Sequence, residues 1–398
     1  MAASAVARPK PKRVLSIDAF RGFVMTLMLA EVMRLPMLPR ALPDSWIAGV
    51  LAFHQSHVVW AWGSLHDMIQ PGFTFLVGAA LPYSIAARQA KGQSFAKMCA
   101  HAAWRAVLLC ALGIFLRSDG RPMTNYTFED TLTQIGLGYF FLFLLGFVSI
   151  KKQIAALAVI LVGYWAAFAL FPAPSPDFDY AKVGVKQNWE HHYTGFMSHW
   201  NKNSNLAWSF DTWFMNLFPR VRPFEYNGGG YSTLSFIPTL GTMILGLLTG
   251  GWLKSDRTPL DKLRGMAIAG VALIATGALL HGAGICPVVK RIWTPAFTLW
   301  SGGIVILMLA AFYALMEIKG WVKWAFPLMV VGMNSIAAYI MAHTMEGYIL
   351  SAFKTHIGTG FFSIFGEPLV PVMMGLGVLI VFWLILYWMS KNRILIRI

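Results

Sequence analysis

Long runs of apolar residues, broken by short polar clusters, set the pattern of this chain. They begin near Phe20, Met68, Met98, Thr131, Gln153, Thr233, Leu263, Thr294, Val322 and Pro368. Each approaches the roughly 20 residues with which a helix crosses a ~30 Å hydrocarbon layer. A membrane barrel needs alternating segments of about ten residues instead, and these runs do not alternate. The pattern predicts an all-α, polytopic transmembrane helical bundle of about ten spans.

Polar clusters between the runs orient the bundle. Arg8, Lys10, Lys12 and Arg13 precede the first run. Arg88, Lys91 and Lys97 follow the second, and Lys151 with Lys152, Lys254 to Arg264, Lys319 with Lys323, and Lys391 to Arg397 recur on the same side. Basic residues in short connections mark the cytoplasmic face, so both termini are expected inside. Residues 1–15 read as a cytoplasmic tail and 16–398 as a single transmembrane domain with an external insert at 172–232. The first run has a basic flank but no small-residue cleavage pattern, so it reads as a retained anchor.

Composition agrees: 57% of residues are hydrophobic and 12% charged, which excludes an ordinary soluble enzyme. The formal charge of +15 becomes a collar for anionic head groups of the lipid bilayer. With no soluble basic face to present it, nucleic acid is not an expected partner. Cys99, Cys110 and Cys286 have neither a disulfide framework nor zinc spacing. Gly246 and Gly250 form a small-xxx-small pair that serves a homodimer face or internal packing.

An ionisable group inside a span costs about 2.5–3.5 kcal/mol at the centre, and any polar group there needs a partner or a task. Glu31, Arg105, Gln134, Asn334, Ser335, Tyr339 and His343 are such groups. Ser335 and Tyr339 are four apart and share a helix face, which suits a polar cavity; hydrogen-bonded helix packing is the plain alternative. Arg105 needs a phosphate or acidic partner, whereas Arg21, at the start of the first span, meets an anionic ligand or a lipid head group. His57 stands ten residues before Asp67, just outside the second span, where an imidazole titrates near neutrality. Asp67 orients that imidazole or caps the span.

The outer insert carries Trp189-Glu190-His191-His192-Tyr193, His199-Trp200-Asn201 and Asp211-Thr212-Trp213. Aromatic faces beside polar groups suit sugar rings, although Trp and Tyr also populate membrane interfaces. Asn227-Gly228-Gly229-Gly230 allows close backbone approach to a ligand or forms a plain loop.

In order and spacing these motifs resemble the heparan-α-glucosaminide N-acetyltransferase family. The match comprises Ser16-Ile17-Asp18-Ala19-Phe20-Arg21-Gly22; His57, Trp60, Asp67, Pro71, Phe73 and Gly78; and Trp104-Arg105 with Gln134-Ile135. It continues through Lys290-Arg291-Ile292-Trp293-Thr294, Ser301-Gly302-Gly303 and Gly332 to Tyr339. The resemblance implies a multi-pass acyltransferase that moves acetyl from cytoplasmic acetyl-CoA to a glycan or amino-sugar acceptor on the far side. His57 falls on the family's catalytic histidine. By position Arg21, Arg105, Gln134, Asn334 and Ser335 are expected to hold the donor, and Trp60, Lys290, Trp293 and Asn227 the acceptor. Ala61-Trp62 and the glycine loop depart from the lysosomal pattern. They resemble a bacterial branch, which implies an inner-membrane location and an acceptor other than heparan.

Within that reading His57 acts as a base in a ternary complex or carries the acetyl group itself. Asp44, Glu190, Asp211 and Glu225 are outer carboxylates available to an ammonium or to solvent. Two rival readings stay open. One is a transporter or flippase using Glu31, Arg105 and His343. The other is a metal site built from His54, His57, His66 and Asp67 with histidines of the insert.

Overall fold

Every apolar run of the sequence folds as helix. The computed structural model describes residues 14–396. Its helices are α1 (Leu15–Leu29), α2 (Leu38–Ala41), α3 (Trp46–His54), α4 (Ile69–Ala90), α5 (Phe95–Arg117), α6 (Thr131–Leu145), α7 (Ile150–Leu170) and α8 (Leu206–Phe214). They continue as α9 (Phe236–Lys254), α10 (Pro259–Gly282), α11 (Pro295–Tyr313), α12 (Phe326–Met333), α13 (Ser335–Thr344), α14 (Glu346–His356) and α15 (Val370–Lys391). Among the described residues the only extended pairing is isolated bridging of Ala61 and Trp62 to Val289. The basic cluster Arg8 to Arg13 and Arg397 lie outside the described residues.

Local chemistry writes the helix starts. Ser94, Asp130, Thr258 and Thr294 each accept a first-turn N–H of α5, α6, α10 and α11, and Pro259 and Pro295 follow where a missing N–H is harmless. The first helix lacks such a residue. Its start is capped from afar, because Glu317 Oε1 accepts the Ser16 N–H at 3.2 Å.

Among the described residues, seven helical segments are long and apolar enough to cross a membrane, or eight if α12 and α13, bent by 68°, form one span. The sequence count of about ten is larger because the run at Thr131 forms only the 15-residue α6, while the run at Phe20 forms α1 and the 3-10 turn to Met33, which together carry Asp18, Arg21 and Glu31. At the bend Asn334 has non-helical dihedrals, and its amide holds the chain end: Nδ2 donates to Ile394 O at 2.9 Å and Oδ1 accepts Ile396 N–H at 3.1 Å.

Helix α9 is the buried centre, while α5, α7 and α10 are mostly exposed rim helices. Close approach of α4 and α9 depends on two glycines. A Cβ on Gly246 would lie 1.9 Å from Phe75 O, and one on Gly250 2.3 Å from Ala79 O. The small-xxx-small pair is therefore consumed within the chain, which removes the sequence argument for a homodimer face.

The insert packs on the end of α7. Trp200 stacks on Phe168, Trp189 meets Trp60 edge-on, and Tyr164 Oη donates to Ile292 O. These contacts press the insert against the segments that carry His57 and Lys290.

Candidate active site

The loop between α3 and α4 is anchored at both ends. Ser56 Oγ donates to Ala52 O at 2.6 Å, and the Leu65 N–H donates to His54 Nδ1 at 3.2 Å. Midway, Trp62 N–H donates to Val288 O at 2.9 Å, so the loop pairs with the segment that delivers Lys290.

Within this frame His57 Nδ1 lies 2.8 Å from Asp67 Oδ1. Asp67 sits in the 3-10 turn that opens into α4, where its Oδ2 accepts Val58 N–H and Ser64 N–H at 3.1 and 3.0 Å. Lys290 Nζ is 3.0 Å from Asp67 Oδ1 and 3.2 Å from His57 Nδ1. A carboxylate only accepts, so the imidazole proton belongs on Nδ1, and Nε2 keeps its lone pair. The His57 side chain is 40% exposed while those of Asp67 and Lys290 are nearly buried, so the free nitrogen belongs to the accessible member. Burial lowers the His57 pKa and the Lys290 ammonium adds to this, against the opposing hydrogen bond to Asp67. Burial and the Lys290 ammonium thus favour the neutral, basic form of His57.

A second imidazole packs on the first. The His66 ring lies 4.5 Å from that of His57, and its Nε2 is 2.7 Å from Glu31 Oε1 on the turn that follows α1. His66 Nδ1 is buried and has no hydrogen-bond partner. Sequence reasoning noted His66 only as a metal ligand and Glu31 only as a membrane charge. Their pairing was invisible because α1 and α4 meet only in the fold.

Glu31, His57 and His66 have ligand atoms within 4.8 Å of one another, a donor set of the type that transition metals accept. The larger set expected from the sequence is not gathered. His54 is committed to Leu65 N–H, Asp67 faces Lys290, and His192 and His199 face the carbonyls of Lys186 and Phe171. A metal among the three would also have to open the Glu31–His66 pair.

At the other end of α4 lies a cavity of about 620 Å³. Arg21, Arg105 and Ser335 line it, joined by Arg88, His101 and Tyr339. Along α4 it follows Phe73, Val77, Ala80, Ser84 and Arg88, which recur every three or four residues on one helix face. That face spans roughly 22 Å at 1.5 Å per residue, and Phe73 is less than two turns beyond Asp67. Arg105 donates to Tyr139 Oη at 3.1 Å, and its buried Nε has no partner; Arg21 pairs with Asp18 at 3.2 Å. Arg88 read in the sequence only as loop basicity, and His101 was not singled out there.

Other expected site residues are engaged in contacts within the fold. Gln134 is fully buried outside the cavity lining, its Nε2 donating to Phe128 O and Thr233 O, and thereby ties α6 to the entry of α9. Asn334 is likewise buried and holds the chain end. Lys290, expected at the acceptor, is the ion partner of Asp67. Trp293 is buried with Nε1 donating to Thr242 Oγ1, and Trp60 is buried against Trp189, so neither presents an open platform to a sugar. Asn227 Oδ1 accepts Gly229 N–H and Tyr231 N–H, which shapes the glycine loop. Arg291 then bridges that loop to the His57 loop by donating to Gly229 O and Val58 O.

Asp211 is buried rather than offered to a ligand. Its Oδ2 accepts Thr233 N–H at 2.9 Å, Oδ1 has no partner, and burial pushes its pKa up to about 7.

Apolar helices around a polar cavity, with a charged cluster near one end, define a multi-pass membrane protein. Over 379 residues the chain is 21% identical to heparan-alpha-glucosaminide N-acetyltransferase of Homo sapiens, covering 85% of this chain and 54% of that protein. This chain spans about half the length of that curated relative, and the likeness supports a distant family-level relationship. No family model matches the chain.

Proposed function

We propose that the chain transfers an acetyl group from acetyl-CoA, bound at the basic end of the cavity, to an amine or hydroxyl of a sugar at the His57 end. The observation that carries this reading is the cavity following one face of α4 from Arg88 to Phe73, below the Asp67–His57 pair. Arg21, Arg88 and Arg105 supply guanidinium charge for the phosphates of the donor. The apolar length between them and Phe73 suits the thioester arm. His57 acts through Nε2, either removing the acceptor's proton or carrying the acetyl group, while Asp67 holds its tautomer and Lys290 keeps Asp67 charged. With the basic connections in the cytoplasm, donor and acceptor approach from opposite sides. Residues 172–232 then form an external insert over the acceptor end. The similarity to a named acetyltransferase supports the same reaction class.

Thiol release from acetyl-CoA by the purified protein in detergent, with a panel of amino sugars and His57→Ala alongside, tests the reading. Acceptor-dependent thiol release that disappears in the variant is expected. Intact acetyl-CoA with every acceptor overturns it and favours transport, for which a thioester-cleaving base has no use.

A further inference from the structure

The Glu31–His66 pair repeats the arrangement of Asp67 and His57: each imidazole has a carboxylate at one nitrogen, 2.7 Å away in one case and 2.8 Å in the other. In the neutral tautomer that donates Nε2–H to Glu31, His66 Nδ1 carries a lone pair, and that buried atom has no hydrogen-bond partner. Buried acceptors without partners are rare and call for a reason. Here the ring packs 4.5 Å from that of His57, which places a second imidazole beside the reacting one.

We infer that His66 is a second general base of the transfer, held by Glu31 as a positioning residue, and that it serves an amine acceptor. The inference rests on the acetyl-transfer reading and deepens it. An ammonium must lose one proton before its nitrogen can attack, and a second as the C–N bond forms and the C–S bond breaks. His66 Nδ1 takes the first, directly or through one water. His57 Nε2 takes the second and returns it to the departing thiolate. Ammonium and thioester thus become amide and thiol, and the proton left on His66 passes to water beside Glu31, whose side chain is 57% exposed.

His66→Gln and His66→Ala in the full chain, with Glu31→Gln as a second variant on an exposed residue, test this. Transfer is measured to glucosamine as its ammonium and to a weakly basic amine that is already free base at the assay pH. The expected result is a loss on the order of 10²–10⁴-fold with the ammonium acceptor for His66→Gln. Much of the activity should remain with the free-base amine, His66→Ala should recover in imidazole buffer, and Glu31→Gln should lose less than His66→Gln. Equal losses on both amines without imidazole rescue, or no loss on either, overturn the inference while thiol release by the wild type still upholds the acetyl-transfer reading. A wild type that leaves acetyl-CoA intact overturns both.

Discussion

Lys290 Nζ lies 3.0 Å from Asp67 Oδ1 across 223 residues of chain, and the same ammonium is 3.2 Å from His57 Nδ1. One cation therefore neutralises the carboxylate that orients the base and opposes protonation of the base itself. Lys290→Gln removes an influence that lowers the His57 pKa, so that pKa rises and the acid limb of kcat/KM moves to higher pH. Breaking a buried pair from one side also costs about 3–5 kcal/mol of stability, which a thermal melt in detergent measures.

Asp67→Asn retains the shape but presents an amide to His57. If its N–H faces Nδ1, the imidazole proton shifts to Nε2 and the base is lost. Loss of the correct tautomer in such a pair lowers kcat on the order of 10⁴-fold. Acetyl-CoA binding, read by equilibrium dialysis, should stay near the wild-type value because the cavity lining does not include Asp67.

Arg105→Met should raise the KM for acetyl-CoA by about 10–100-fold, the equivalent of about 1.5–3 kcal/mol for a hydrogen bond to a charged group. The KM for the acceptor should change little. An equal rise in both constants would place Arg105 in general helix packing instead.

Asp211 gives the insert its own pH dependence. Its folded pKa of about 7 lies above the ordinary carboxyl value of 3.8, so the folded state retains a proton that the unfolded state has lost. Its contribution is full below about pH 4 and declines as pH rises towards 7. Asp211→Asn imitates the protonated form, so the melting temperature should depend less on pH over that range.

His57 and Asp67 were legible because they lie ten residues apart on one loop and the turn that ends it. Arg105 and Ser335 were legible as costly residues in apolar runs and Arg21 as a basic residue at the start of one, and the fold gathers them on one cavity. Gln134 and Asn334 carried the same signal yet serve backbone groups at Thr233, Ile394 and Ile396. A buried amide satisfies a ligand or a distant carbonyl equally well, and only packing tells which.

By itself, the sequence determined the all-helical membrane class, and short-range hydrogen bonds to Ser94, Asp130, Thr258 and Thr294 start four of the helices. Those features depend on hydropathy and on hydrogen bonds spanning a few residues. Tertiary structure alone decided that Lys290 meets Asp67, that Glu31 holds His66, and that the glycines of α9 admit α4 rather than a second copy. Each depends on how closely helices far apart in the chain approach one another, and that distance is set by side-chain volume on both partners at once.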